Sequence, residues 1–412
     1  MSDTRDIRRR LKRLGRTRTK SSPAQTYRAG SSEPLPGDEV ELEGGRILRV
    51  EKTFRLQHQH GTRPLADFPG EGLASLPGVM TENNESVGSG MRWLFLDTET
   101  TGLAGGAGSF AFLVGVGVFD GDMFRLRQYF MRTPAEEAAM LAALKEDFGE
   151  QAGFVTYNGR TFDIPLLEMR YMIGRRERLP LGRWPQLDLL HLSRRLWRRQ
   201  LPDCTLGTVE RHILQVTRTE EDVPGAQIPR MYQHFLQTGE TREMKRVLYH
   251  NEIDILSLVV LAAEVHDRHL AVDATTLSGS EALGVARWHL QETRLEAAEN
   301  AFRQAANCTD PDVRLEGLQH YTAFLKRTDR RDEAAPIWQR WHRLDKQNPS
   351  PCIELAMYYE WHQRDYQAAI EWTEHALETV QLWPVDWRRM RLEQELHHRL
   401  ARLQGKLARL AG

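Results

Sequence analysis

The sequence predicts an α/β domain with a mixed sheet and flanking helices, followed by an all-α region. Two observations carry this prediction. From residue 91 onward the elements follow in the order strand–strand–strand–helix–strand–helix, which is an α/β pattern. After about residue 270 the pattern becomes helical only, and three segments resemble one another at a regular spacing.

The elements of the α/β part follow from short apolar runs and turn signals. Asp120-Gly121 is a hairpin signal between two of the strands. Thr133-Pro134 is typical of a helix start, so we expect a helix from there to about Phe148, and a further helix after Pro165. The apolar runs predict strands at 91–97, 110–119, 124–131 and 153–157.

Residues 1–90 divide into two regions. Residues 1–38 combine a basic segment at 1–20, with nine Lys/Arg against two Asp, and a Ser/Pro/Gly-rich linker. This composition predicts a disordered, solvated arm that is compatible with weak contact to nucleic acid. Residues 39–90 predict a small β-hairpin, at 40–42 and 47–54, and an irregular lead-in to the domain at 91–270.

Composition excludes several classes of protein. Lys plus Arg (56) nearly cancel Asp plus Glu (57), so a nucleic-acid surface must be local. The three cysteines are far apart and form no CxxC pair, which excludes a cysteine-based zinc ribbon and a disulfide scaffold and favours a reducing compartment. No apolar run is long enough to predict a membrane span. We therefore expect a cytoplasmic protein without a membrane partner.

Residues 275–412 predict helical repeats. Ala-Ala pairs begin at residues 297, 334 and 368, at nearly equal intervals. These intervals are close to the period of tetratricopeptide repeats, in which small residues let paired helices pack closely. An ordinary helical bundle with chance Ala pairs is the alternative. Such repeats usually bind a protein partner on a concave face.

Three separated segments supply acidic residues. Asp97 and Glu99 are two apart on a strand end, so both side chains lie on one face. Asp163 follows a strand and an Asn-Gly turn, at a helix start. His250 and Asp254 are four apart on a helix and share a face, whereas Tyr249 is turned about 140° from Asp254. Grouped carboxylates resist ionisation unless a cation lies between them, and Mg²⁺ and Mn²⁺ prefer oxygen ligands.

Together these motifs resemble the DEDD exonuclease branch of the ribonuclease H-like superfamily. Phe-Leu-Asp97-Thr-Glu99 is similar to its first motif, Tyr-Asn158-Gly-Arg-Thr-Phe-Asp163 to the second, and Asp254 matches the third-motif aspartate. More narrowly, Val-Glu210-Arg, Asp222-Val-Pro-Gly-Ala-Gln-Ile-Pro and His250-Asn-Glu-Ile-Asp254 resemble the YprB-type ribonuclease H-like proteins. The third motif departs from the pattern: the family reads Tyr-x3-Asp or His-x4-Asp, and this chain has His-x3-Asp and Tyr-x4-Asp.

The resemblance implies a metal-dependent nuclease that hydrolyses phosphodiester bonds, as a 3′–5′ exonuclease on single-stranded DNA or RNA. Asp97, Glu99, Asp163 and Asp254 would hold two divalent ions, Mg²⁺ or Mn²⁺, and His250 could orient or deprotonate the water.

Substrate contacts need positive charge. Residues 170–199 carry nine arginines against two acids. Within them a cluster of cations and an aromatic ring suits single strands, although a solvated basic helix face is the alternative. Asn158 could contact the terminal nucleotide or merely form its turn. The substrate-binding candidates are Asn158, Arg194, Arg195, Trp197 and Arg198. The other function that the sequence leaves open is a non-catalytic scaffold for nucleic acid or protein on the same fold.

Overall fold

The structure is a computed structural model, and it describes residues 33–81, 87, 90–102, 108–149, 152–219, 221–271 and 274–411. Residues 1–32 of the predicted basic arm lie outside the described residues.

One mixed sheet organises the first two thirds of the chain. The strands are β1 (Asp38–Leu42), β2 (Gly45–Arg55), β3 (Gln59–His60), β4 (Arg63–Pro64), β5 (Val79–Met80), β6 (Trp93–Thr100), β7 (Ala111–Asp120), β8 (Met123–Phe130), β9 (Gly153–Thr156) and β10 (Gln186–Asp188). Among the described residues, eight strands form this sheet in the order β1-β2-β8-β7-β6-β9-β10-β5, and β3 and β4 form a separate pair.

The sheet is antiparallel on one side of β6 and parallel on the other. β6, β7 and β8 form an antiparallel meander, whereas β9 and β10 run parallel to β6. The hairpin of β1 and β2 pairs with β8, and β5 pairs with β10. The predicted lead-in at 39–90 is therefore part of the sheet and supplies strands at both of its edges.

The helices surround this sheet and then continue alone. They are α1 (Glu137–Phe148), α2 (Asp163–Arg170), α3 (Leu189–Trp197), α4 (Leu206–Val209), α5 (Ile228–Thr238), α6 (Arg242–Leu270), α7 (Gly279–Gln291), α8 (Leu295–Asn307), α9 (Pro311–Arg327), α10 (Arg331–Leu344), α11 (Ser350–Tyr358), α12 (Tyr366–Gln381) and α13 (Trp387–Ala411). A π-helical turn, Glu210–Leu214, continues α4.

The predicted elements agree closely with those observed. The strands at 91–97, 110–119, 124–131 and 153–157 correspond to β6, β7, β8 and β9. The helix expected at Thr133 opens instead with a 3₁₀ turn, Pro134–Glu136, and α1 begins after it. The second helix begins at Asp163, two residues before Pro165, because proline is tolerated in the first turn.

Alternation along β6 assigns its two faces. Leu94 and Leu96 belong to the core that contains α1 and α2, whereas Trp93 and Phe95 belong to the core that contains most of α6. With a period of two, Asp97 and Glu99 continue the second face. The acidic pair therefore points to the side of the sheet on which α6 lies.

The helical region is built from consecutive pairs. The Ala pairs at 297, 334 and 368 fall in α8, α10 and α12, and Ala298, Ala334 and Ala369 are fully buried. A Cβ at Gly317 of α9 would lie 2.5 Å from the backbone of Ala305 in α8, so these helices approach closely. The region thus has the small-residue contacts that its repeated sequence predicts.

The two regions share one apolar core. Leu192, Leu196 and Trp197 of α3 pack in the same cluster as Leu283 and Trp288 of α7. The boundary predicted between 270 and 275 therefore marks a change of architecture but not a break in packing.

Candidate active site

Parallel strands bring polar residues to one edge of the sheet. Asp97 and Glu99 lie near the end of β6, Asn158 follows β9, and Asp188 ends β10. Asp188 Oδ1 accepts hydrogen bonds from the backbone N–H of Asn158 at 2.8 Å and of Leu190 at 3.1 Å. Asp188 thus caps α3 and also fixes the turn that leads toward Asp163.

Asp97 is oriented by α6. Asn251 Nδ2 donates to Asp97 Oδ2 at 2.8 Å, and Asn251 Oδ1 accepts from Gln128 Nε2 at 2.9 Å. Room for this amide comes from Gly115, which pairs with Asp97 in the sheet: a Cβ at 115 would lie 2.3 Å from Asn251 Oδ1. The glycine in β7 therefore lets a fully buried amide reach the carboxylate.

Asp163 is tied to the same strand. It is the first residue of α2, and its Oδ1 accepts a short hydrogen bond from Thr98 Oγ1. Thr98 lies between Asp97 and Glu99 in β6. One short strand segment thus contributes two carboxylates and holds a third.

His250 and Asp254 complete the group from α6. His250 Nε2 lies 3.6 Å from Asp254 Oδ2 and 3.8 Å from Glu99 Oε1, and its Nδ1 lies 2.7 Å from Asp222 Oδ1. Two groups lie at Nδ1: the Asp222 carboxylate at 2.7 Å, which accepts from an N–H, and Nη1 of Arg218 at 3.0 Å, which can only donate. We assign the proton to Nδ1 on the shorter, carboxylate contact, which leaves the Nε2 lone pair facing Glu99 and Asp254. The ligand atoms of Glu99, His250 and Asp254 lie within 4.8 Å of one another, close enough to hold a metal ion.

Tyr249 takes no part in this group. Its hydroxyl accepts a hydrogen bond from the backbone N–H of Thr219 at 3.2 Å. Tyr249 therefore holds the loop that carries Arg218.

Arg218 is the cation of the site. Its guanidinium forms two hydrogen bonds of 2.7 Å with Glu210, a short one with Asp254 Oδ1 and one of 3.2 Å with Asp222. Glu210 is buried, in the π-helical turn after α4. The bidentate pair neutralises Glu210 and brings one positive charge to Asp254.

Burial, and after it the charges of neighbouring carboxylates, strongly perturbs the acidic groups of the site. Burial raises the pKa of Asp97 well above its ordinary value, and the charges of Asp254 and Asp163 raise it further. Burial, followed by the charges of Asp97, Asp254 and Asp163, does the same for the pKa of Glu99. Burial raises the pKa of Asp163 to about 6, against the opposing hydrogen bond from Thr98. The site therefore carries more negative charge than Arg218 alone can balance.

An open cleft of about 600 Å³ borders the group. Its lining includes Leu206, Gly207, Glu210, Arg211, Val216, Thr217, Arg218, Asp222, Val223, Pro224, Gly225, His250 and Asp254. A substrate in this cleft would meet His250 and Asp254 directly.

The predicted substrate-binding residues separate into two sets. Trp197 is fully buried, and its Nε1 donates to Glu281 Oε1 of α7 at 2.8 Å, so it cannot stack on a base. Arg195 donates to Gln291 at 3.1 Å. The basic segment of α3 therefore docks partly on the helical region, which corrects the role assigned to Trp197 and gives Arg195 a packing partner.

Arg195 is itself exposed, and so are the other three candidates. Arg194 and Arg198 are exposed, and both charges act on Cys204, which lies two residues before Leu206 of the cleft lining. Asn158 is exposed at a backbone φ of 66°, a left-handed conformation that asparagine tolerates, and its Oδ1 accepts from Thr161. Asn158 therefore forms the turn while its side chain stays at the surface.

Several residues of the site were not predicted. Glu210 and Asp222 stand in segments that carried the family resemblance, but no role followed from the pattern. Arg218 lies in an irregular segment with no periodicity, so no sequence signal singled it out. No role was predicted for Asn251, because His250 and Asp254 already account for the motif in which it stands.

The fold and the acidic edge define a domain of the RNase H superfamily, and a family model described as RNase H superfamily matches residues 94–266. The chain is also 32% identical over 366 residues to the uncharacterized protein YprB of Bacillus subtilis (strain 168), an alignment that spans 86% of this chain and 85% of that protein. The chain therefore belongs to the YprB family, with a nuclease-like RNase H domain.

The described residues contain no helix that combines the length and the apolar character needed to cross a membrane.

Proposed function

We propose that this chain is a metal-dependent nuclease, acting as a 3′–5′ exonuclease on single-stranded DNA or RNA. The observation that carries the proposal is the convergence of Asp97, Glu99 and Asp163 beside Asp254, where burial, and after it the neighbouring charges, raise the pKa of Asp97 and Glu99. Carboxylates in such an arrangement gain from a bound divalent cation. Their oxygen ligands suit Mg²⁺ or Mn²⁺, and four of them suit two ions.

The carboxylates would divide the ligation among three elements. Asp97 and Glu99 come from β6, Asp163 from α2 and Asp254 from α6. Bound divalent ions supply Lewis-acid stabilisation of the developing charge and lower the pKa of water. Asn251 and Thr98 keep Asp97 and Asp163 in place, so the protein does not have to reorganise its ligands during the reaction.

His250 would accept the proton of the attacking water. Its Nε2 faces Glu99 and Asp254, and Asp222 holds the proton of Nδ1. As the water is deprotonated, the imidazole becomes positively charged, and the Asp222 carboxylate stabilises that charge. Arg218 cannot serve as a base because a guanidinium stays protonated.

The nucleic acid would approach along an exposed basic rim. Arg194 and Arg198 lie one helical turn apart at the end of α3, and exposed Arg211 lines the cleft. Guanidinium groups bind phosphates in a bidentate manner and stack on bases, which suits a single strand. Asn158 lies at the same sheet edge as Asp97 and could contact the terminal nucleotide. Resemblance to the DEDD enzymes supports the 3′ direction.

The helical region would bind a protein partner as tetratricopeptide-like repeats, and the free cysteines fit a cytoplasmic protein.

The test is degradation of 5′-end-labelled single strands by the purified full chain with Mg²⁺ or Mn²⁺, and with EDTA as the metal-free control. Asp97→Asn, Asp163→Asn and Asp254→Asn should each abolish cleavage. Asp122→Asn, on the exposed β7–β8 turn, is the matched control and should keep full activity. Binding of the strands without metal-dependent cleavage by the wild type would instead support the scaffold function.

A further inference from the structure

A second cluster of potential metal ligands lies where the sheet domain meets the helical region. His269 is in the last turn of α6, His289 is in the last turn of α7, and Glu292 directly follows α7. Their ligand atoms lie within 4.8 Å of one another. The cluster is separate from the acidic edge, and the nuclease chemistry makes no use of it.

The two imidazoles are buried and incompletely bonded. His269 is 0% exposed and His289 is 3% exposed. His269 Nε2 lies 3.1 Å from both oxygens of Glu292. His289 Nδ1 has no hydrogen-bond partner among the residues that the structure describes, and it lies 3.9 Å from Glu292 Oε2. A buried polar atom without a partner is costly, so one that faces a carboxylate calls for an explanation.

The distances suit a tetrahedral ion. Zn²⁺ binds histidine nitrogen and carboxylate oxygen at about 2.0–2.2 Å, which places adjacent ligand atoms of a tetrahedron about 3.3–3.6 Å apart. The observed separations of 3.1 and 3.9 Å bracket that value. We propose that His269, His289 and Glu292 form a Zn²⁺-class transition-metal site that fastens α6 to α7.

The protonation of the ligands agrees with this site. Burial lowers the pKa of His289 to about 4, and it also lowers the pKa of His269. Both rings are therefore neutral near pH 7, which is the form that binds a metal. The mixed nitrogen and oxygen set selects Zn²⁺ and similar ions over Mg²⁺, which prefers oxygen alone.

The guanidinium of Arg294 lies close to the point at which the ion would bind. Its Nη2 lies 2.6 Å from Glu292 Oε2 and 3.3 Å from His269 Nε2. A positive charge is thus already drawn to the point where the three ligands converge. The side chain of Arg294 is 43% exposed, so it can swing into solvent and open an entry path to the ligands.

The test uses the full chain carrying Glu99→Gln and Asp254→Asn, which removes two ligands of the acidic edge. Zn²⁺ per chain is measured by elemental analysis after dialysis, and affinity by titration. We expect one tight equivalent, and tetrahedral visible absorption bands when Co²⁺ replaces Zn²⁺. Adding Glu292→Gln should weaken this site by at least about 10–100-fold, the loss caused by removing even an outer partner of a metal ligand. Exposed Glu296→Gln is the matched control and should change nothing.

Arg294→Ala separates this proposal from a purely electrostatic role for the cluster. If Arg294 competes with the metal, its removal raises Zn²⁺ affinity, whereas an arginine that merely neutralises Glu292 leaves a protein that binds no Zn²⁺. Zn²⁺ should also raise the melting temperature of the chain, but not that of the Glu292→Gln variant. Should Glu292→Gln fail to fold, His289→Gln provides the same comparison. The absence of a tight Zn²⁺ equivalent, or one that survives the loss of a ligand, would overturn the site.

Discussion

The carboxylate of Asp222 lies 2.7 Å from Nδ1 of His250, and this contact determines which imidazole nitrogen faces Glu99 and Asp254. The two residues come from a loop and from α6, 28 positions apart. The loop between α4 and α5 therefore contributes a side chain that positions His250 in the site.

The first prediction concerns the proton acceptor. His250→Ala should reduce single-turnover cleavage by about 10²–10⁴-fold, the usual contribution of a general base. The comparison is made at a metal concentration that saturates the site, so that loss of the imidazole as a metal ligand does not contribute. Tyr249→Phe should be nearly silent, because its hydroxyl only accepts a backbone hydrogen bond outside the site. A labelled oligonucleotide under single-turnover conditions provides the measurement. If the phenylalanine variant were the crippled one, the role given to His250 would be wrong.

The second prediction concerns pH and the metal-free protein. The pKa of Asp163 is about 6 in the folded chain against 3.8 ordinarily, so folding takes up a proton between these values. Its contribution to stability is present below about pH 4 and is lost as the pH rises through 6. Asp163→Asn lacks this titration. At pH 7 with EDTA it should therefore be more stable than wild type, by about 3 kcal/mol, and the difference should shrink on acidification. Urea unfolding at pH 4, 5, 6 and 7 measures both effects, and a difference independent of pH would contradict them.

The third prediction concerns the buried charge pair of Arg218 and Glu210. Arg218→Gln leaves Glu210 buried without its cation and should destabilise the fold by about 3 kcal/mol. The double variant Arg218→Gln/Glu210→Gln should recover part of that loss, because Glu210 no longer carries a buried charge, whereas Asp254 and Asp222 still lack the guanidinium. Urea denaturation of the four proteins of this cycle tests the coupling. Strict additivity of the two substitutions would show that the pair does not interact.

The fourth prediction concerns the glycine opposite Asp97. A Cβ at residue 115 would meet Asn251 Oδ1 at 2.3 Å, so Gly115→Ala should push the amide away from Asp97. We expect weaker Mg²⁺ or Mn²⁺ binding together with a lower melting temperature. Gly121→Ala, at a turn where a Cβ meets no atom within 4 Å, tests glycine loss alone, although its φ of 60° adds some strain. Unchanged metal affinity in Gly115→Ala would mean that Asn251 does not position Asp97.

The fifth prediction concerns the boundary between the two regions. A fragment of residues 33–274 exposes Leu196, Trp197 and the rest of the shared core, so it should aggregate. A fragment of residues 33–309 keeps α7 on α3 and instead exposes the smaller face of α8 that packs on α9, so it should aggregate less than the shorter fragment. Size-exclusion chromatography of both fragments decides the matter. A well-behaved shorter fragment would mean that the packing of α3 on α7 contributes little to stability.

The sequence was sufficient wherever local pattern and chemistry agree. The apolar run of β6 ends in Asp97 and Glu99, and a period of two already places both carboxylates on one face. The spacing of His250 and Asp254 likewise fixes their common side of α6. These inferences need only the geometry of one element.

The roles of the remaining residues depend on tertiary contacts, which the sequence alone does not reveal. Trp197 and Arg195 belong to a basic amphipathic helix, and no local signal distinguishes a nucleic-acid surface from a face that packs on another helix. The partners that decide it, Glu281 and Gln291, lie 84 and 96 positions later. Arg218 was missed for a similar reason, because its importance comes from Glu210 and Asp254 rather than from its own neighbours.

The core shared by α3 and α7 has a consequence for how a substrate would be presented. When a flexible linker joins two domains, the linker sets the effective concentration at which a ligand bound to one domain meets the other. Here Trp197 is locked onto Glu281, and no such tether separates the helical region from the sheet among the residues that the structure describes. A protein bound by α9–α12 would therefore be held at a constant distance from Asp97 and Glu99. That distance would determine how much of a nucleic-acid strand presented by the bound protein reaches the carboxylates.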